Sequence, residues 1–225
     1  MSAPSTVLRT GRDPYHVGHR APAAGVPEYT GHGAGGPSPK RIVVGYGFWI
    51  FILSDVILFS CFFATYTVLI FSRNGGPGPR EIFDLHTTAI ETACLLLSSF
   101  ACGMTSLAVA RHNLLWTEVS LAITGLLGLA FIGLEVHEFT GLVAHGAGPT
   151  RSAFLTSFFS LVGCHGVHVS AGLLWLGTMM AQFWAKGFKE SIRHRYLCFS
   201  LFWHALDIIW VGIFTVVYLI GVLTP

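Results

Sequence analysis

From Gly47 onward, long apolar runs alternate with short polar breaks. A hydrocarbon core about 30 Å thick takes about 20 helical residues at 1.5 Å each to cross. Five runs reach that length, over about 48–71, 85–110, 115–143, 152–184 and 197–223. The breaks carry turn chemistry: Ser72-Arg73-Asn74-Gly75-Gly76-Pro77 after the first run, Arg111-His112-Asn113 after the second, His145-Gly146-Ala147-Gly148-Pro149 after the third. The pattern predicts an all-α membrane protein, a bundle of five transmembrane helices. The fourth run is longer than the core is thick, so it tilts or projects. Ser120, Thr124 and Gly128 on the third helix, and Gly166 and Ser170 on the fourth, form small-residue ladders. Such ladders let helices approach closely where lipid supplies no hydrophobic drive.

Residues 1–45 read differently. This stretch is polar and rich in Gly, Pro and His, and it holds six of the ten prolines. It cannot bury enough apolar area to offset the entropy of ordering, so a flexible tail is expected. No apolar run lies near its start, which argues against a signal peptide. His16, His19 and His32 could bind a metal, but histidines scattered through such a segment are commonly just solvated.

Charged residues make up 11% of the chain and hydrophobic residues 52%. Soluble domains carry about 25% charged residues, so composition supports lipid as the solvent. A net charge of +2 gives no footprint for nucleic acid. Placement of the charges says more. With the N-terminus inside, ten of the thirteen Lys and Arg residues fall on the cytoplasmic side, in the tail, at Arg111 and around Lys186 to Arg195. Arg73, Arg80 and Arg151 lie opposite. This is the positive-inside asymmetry, and it predicts a cytoplasmic N-terminus and a periplasmic C-terminus. Trp49, Trp116 and Trp184 suit the interfacial aromatic belt. Cys61, Cys94, Cys102, Cys164 and Cys198 show no metal or redox spacing and read as small core residues.

Against that apolar background, Asp55, Glu91, Glu135, Glu138, His165, His168, His204 and Asp207 stand out. A charge at a helix centre costs about 2.5 to 3.5 kcal/mol on insertion scales, so these groups must face other helices, be neutral or be paired. Three pairs have i, i+3 spacing and share a face: Glu135 with Glu138, His165 with His168, His204 with Asp207. On the fifth helix the stripe continues through Val211, Thr215 and Tyr218. By depth, His204 is the first expected partner for Asp55 and His168 the second, while Arg151 and His145 are available to the three glutamates. Asp55 is open to two readings, structural or proton-carrying. The histidines could ligate a metal or haem, but two of them three apart on one helix cannot fill opposite axial positions, and no H-E-x-x-H occurs. Walker A, G-x-S-x-G and dinucleotide fingerprints are absent from the sequence.

Several stretches together resemble subunit III of the haem-copper oxidases. The run from Gly47 to Tyr66, with Asp55 at its centre, is similar to the first helix of the five-helix members. The run Gly146 to Val169 contains His165-Gly166-Val167-His168-Val169 and resembles the family's H-G-x-H-V helix. Trp203-His204-Ala205-Leu206-Asp207-Ile208-Ile209-Trp210 matches W-H-x-x-D-x-x-W, and Glu135-Val136-His137-Glu138-Phe139 adds to the likeness, which covers residues 45–223. The wording is closest to the cytochrome bo-type ubiquinol oxidase branch. Cytochrome c oxidase versions often carry two further helices first and a Glu where this chain has Asp55. The resemblance implies a subunit with no catalytic, cofactor or metal residues of its own. It would pack directly on subunit I, which holds the haems and copper, within a complex that includes subunits II and IV. It also implies bound phospholipid and a place in the bacterial inner membrane, in a respiratory chain coupling ubiquinol oxidation and oxygen reduction to proton pumping. On that reading Asp55, Glu91, Glu135, Glu138, His165, His168, Trp203, His204 and Asp207 are buried polar, structural residues. The alternatives are a stand-alone ion transporter, subunit III of a cytochrome c oxidase, or a haem or metal enzyme built on the histidines. The lack of broken helices and internal repeats speaks against a transporter.

Overall fold

A computed structural model of the protein describes residues 40–72, 75, 78 and 84–223. The tail with His16, His19 and His32, and the loop residues Arg73 and Arg80, lie outside the described residues. The described chain is all-helical: α1 (Lys40–Leu69), α2 (Leu85–Ala110), α3 (Leu114–Ala144), α4 (Ala153–Lys186), α5 (Glu190–Ile213), a π-helical stretch (Phe214–Leu219) and a final turn, α6 (Ile220–Leu223). Among the described residues five helices are long and apolar enough to cross a membrane, the fifth span running through the π stretch to Leu219.

Local chemistry sets the helix ends. Asp84 caps α2, accepting from the His86 backbone N–H at 3.0 Å and the Thr87 hydroxyl at 2.7 Å. Those two bonds hold its exposed carboxyl below the ordinary carboxylate range. Asn113 caps α3 through the Trp116 N–H, and Ser152 caps α4 through the Leu155 N–H. Gly187, at φ 65°, ends α4 in the left-handed region that a glycine adopts without strain. Turns of three residues then reverse the chain after α2 and after α4.

Two helix starts differ from expectation. α1 begins at Lys40 rather than near Phe48. Gly45 and Gly47 look like breaks in sequence, but a glycine costs a helix only about 1 kcal/mol. Exposing unpaired backbone to lipid costs more, and α1 passes Leu197 of α5 at Gly45 at a distance that leaves room for a Cβ. α5 starts at Glu190 rather than near Leu197, because the charged turn stays helical and Arg195 reaches back to Gln182 of α4 at 2.9 Å.

α2, α3, α4 and α5 form a closed set: α3 packs on α2 and α4, while α5 packs on α2 and α4. α1 lies in the groove between α4 and α5 and is the least covered span, with 11% of its most apolar window buried against 33% to 39% in the others. The core runs along α5 and α4 and includes Phe154, Phe158, Leu161, Phe183, Phe199 and Trp210. Cys102 belongs to it and Cys198 is also buried, but Cys61 is exposed on α1 and Cys94 and Cys164 are half-buried, so the expectation of five buried cysteines holds for two. All five are free thiols.

Candidate functional site

α5 offers α2 a ring donor at every seventh residue. Tyr196 donates its hydroxyl to Cys102 O at 2.7 Å, Trp203 its indole N–H to Ser98 Oγ at 3.1 Å, and Trp210 its indole N–H to Thr92 Oγ1 at 3.0 Å. Seven residues are two helical turns, so the three rings share one face. Thr105 donates to Ser120 Oγ at 2.8 Å and joins α2 to α3. Trp203 is wedged between two glycines: a Cβ added to Gly128 of α3 or Gly172 of α4 would lie 3.0 Å from its ring.

His204 and Asp207 flank this ladder. His204 Nδ1 lies 2.6 Å from Ser99 Oγ of α2, and the Asp207 carboxyl sits beside the same serine. His204 is therefore engaged on the α2 side and is not the partner of Asp55. Asp55, half-buried on α1, has no hydrogen-bond or ion-pair partner among the described residues and lies within electrostatic range of Cys164. His168, the second expected partner, is held by its own helix, with Nδ1 2.8 Å from Cys164 O, and its ring rests on Phe59.

His165 is buried at the centre. It stacks on Trp210 at 5.2 Å and meets the edges of Phe131 and Phe59, so α1, α3 and α5 converge on this α4 residue. Neither ring nitrogen has a hydrogen-bond partner among the described residues.

Glu91 of α2 and Glu135 and Glu138 of α3 gather near the far ends of their helices from the α2–α3 turn. Tyr218 donates its hydroxyl to Glu138 Oε2 at 3.3 Å. The Glu135 carboxyl lies against Gly166, where an added Cβ would stand 2.6 Å from Oε1. Among the described residues neither Arg151 nor His145 bonds to these acids, and His145 Nδ1 lies 2.7 Å from Gly141 O instead. The expected stripe on the fifth helix is also divided: Tyr218 is buried, whereas Val211 and Thr215 are exposed.

The π stretch explains the division. It adds a residue to the register, bringing Tyr218 rather than Val217 toward α3, and the loosened backbone leaves Val217 O to accept from Tyr66 of α1 at 3.2 Å. Sequence reading missed this, and it passed over Ser98, Ser99, Thr92 and Tyr196, whose signal is the seven-residue spacing of Tyr196, Trp203 and Trp210.

The histidines do not converge. His165 is enclosed by rings, His168 is tied to Cys164 and His204 to Ser99. Among the described residues no group of three or more His, Cys, Asp or Glu is placed to hold a metal ion. These donors do not fit a haem or copper centre.

A bundle of apolar helices joined by buried side-chain bonds defines a multi-pass membrane protein. The family described as cytochrome c oxidase subunit III matches residues 30–222, and the chain belongs to that family. The chain is similar to the cytochrome bo(3) ubiquinol oxidase subunit 3 of Pseudomonas aeruginosa, with 50% identity over 79% of this chain and 85% of that protein. It is 48% identical to the protein of the same description from Pseudomonas putida, over 79% of this chain and 86% of that one. It is 41% identical to quinol oxidase subunit 3 of Bacillus subtilis, over 78% of this chain and 86% of that one.

Proposed function

We propose that the chain serves as subunit III of a proton-pumping haem-copper quinol oxidase in the bacterial inner membrane. The observation that carries this reading is the match across nearly the whole helical region to relatives described as quinol oxidase subunit 3. The structure supports an accessory role, because Trp203, Trp210, Tyr196 and His204 serve as bonds between helices. The subunit itself carries out no step of quinol oxidation. Haems and copper reside in subunit I, against which this chain packs directly, with subunits II and IV completing the complex and phospholipid bound along the exposed helices. The N-terminus faces the cytoplasm and the C-terminus the periplasm, as the distribution of Lys and Arg favours.

Purification in mild detergent, with identification of co-purifying chains and a visible spectrum, tests the reading. The expected result is a haem-bearing large subunit that accompanies this chain, and quinol oxidase activity that stays with that partner after the two are separated. Haem retained by the isolated chain, or ion transport by the chain alone in vesicles, overturns it.

A further inference from the structure

The glutamates at the α2–α3 ends have no task in that reading. Glu91 is 0% and Glu135 4% exposed. Both Glu91 oxygens, Glu135 Oε2 and Glu138 Oε1 lack hydrogen-bond partners among the described residues. The three carboxyls act on one another electrostatically, and Tyr218 of the π stretch is under the influence of all three. Glu138, half-buried, is also influenced by the exposed Asp84 carboxylate at the start of α2, which puts it at the mouth of the group. α4 contributes Gly166 against Glu135 and, beside it, the fully buried His165, whose two ring nitrogens are likewise unpartnered. His165 touches Phe131, one turn from Glu135, and Trp210, whose indole is bonded to Thr92 next to Glu91.

Three like charges do not stand together in a low-dielectric interior without a cation, and no Lys or Arg acts on these three among the described residues. The group therefore carries protons. Protonated carboxyls still require hydrogen-bond partners when buried. The three do not bond to one another directly, so the bridging chemistry that fits is a small molecule able to donate and accept, namely water.

We propose that Glu91, Glu135 and Glu138, closed by Tyr218, form one hydrated proton-sharing site whose ligands are water and mobile protons, entered from the Asp84 side through Glu138. A proton leaves the O–H of one carboxylic acid, crosses a bridging water and joins the neighbouring carboxylate, so the total charge of the site is unchanged. Exchange with bulk water passes through Glu138.

Infrared spectra of the protein purified with its partner subunits and held in lipid nanodiscs test this, through a pH titration and through transfer from H2O to D2O. Each of E91Q, E135Q and E138Q removes a carboxylic C=O band. Coupling means that E138Q also shifts the pH midpoint of the remaining bands by about 1 pH unit or more and slows their exchange into D2O. The double variant E91Q/E135Q departs from the sum of its singles. E118Q, which alters a half-buried acid near the other end of α3, leaves these bands in place. Bands that titrate independently, D2O exchange unaffected by E138Q, or no protonated carboxyl assignable to the three residues overturns the proposal. If E91Q does not assemble, Y218F serves in its place, because it keeps the ring and removes the hydroxyl from Glu138. A shifted Glu138 band with slower exchange then supports the site, and an unchanged spectrum overturns it.

Discussion

Trp203 is held by three helices at once. Its ring fills the space left by Gly128 and Gly172, and its N–H ends on Ser98. Trp203→Phe keeps part of the ring and removes the donor, so we expect a loss of about 1 to 3 kcal/mol, read as a lower thermal midpoint of the purified complex. Gly172→Ala pushes a methyl against the same ring and is expected to cost about 1 to 3 kcal/mol by overpacking. The two changes act on one contact, so their effects in combination should not add, and simple additivity would show that Trp203 is not the shared element. Asp84 allows a pH test. Its carboxyl is held low by the Thr87 hydroxyl and then by the His86 N–H. A lowered folded value means that this cap contributes fully above the unfolded carboxyl's range and is lost as pH falls through the folded value. Asp84→Asn keeps an acceptor but does not titrate. The difference in thermal midpoint between the two proteins is expected to shrink or reverse on acidification, and a constant difference would count against the cap.

The five spans were legible because lipid imposes a simple length and polarity rule, and the middle three match their predicted bounds to within about two residues. The start of α1 was hidden by Gly45 and Gly47, and that of α5 by a charged turn that remains helical outside the apolar run. The polar residues could be picked out by type, but not their partners. Depth alone placed Asp55 near His204, whereas packing gave His204 to Ser99, since helix rotation is set by close contacts that a depth estimate does not contain. The π stretch was illegible for the same reason: its extra residue is fixed by where Tyr66 and Tyr218 must land. Inserting an alanine after Val216 adds a residue beyond the one the π stretch absorbs and should turn Tyr218 about 100° around the helix, away from Glu138. We expect such a protein to be less stable than Tyr218→Phe, which loses the hydroxyl alone. Equal stability of the two would mean that the direction the π stretch gives Tyr218 has no structural task.

Viewed as a whole, the molecule leaves α1 the most open of its spans, and Asp55 on that helix is half-buried without a partner among the described residues. A carboxyl at such depth is costly in lipid, and this chain does little to relieve it. The proposed assembly supplies a reason for its presence: subunit I, packed over α1, would bring a donor to Asp55. Asp55→Leu and Asp55→Asn separate the possibilities. If the partner lies outside the chain, Asp55→Leu leaves the separated subunit as stable as the wild type. In the complex it strands a donor on the neighbouring subunit, at about 1 to 3 kcal/mol, so the subunit should dissociate at a lower detergent concentration. Asp55→Asn can still accept a hydrogen bond and should stay bound, with sustained quinol oxidase turnover. If Asp55 instead carries protons, Asn fails as Leu does, because neither titrates, and proton uptake by an assembled Asp55→Asn complex falls sharply. Retention of this subunit across a detergent series and proton uptake, measured on the same preparations, distinguish the outcomes. Asp55→Leu retained as tightly as the wild type would mean that no neighbouring subunit depends on this carboxyl.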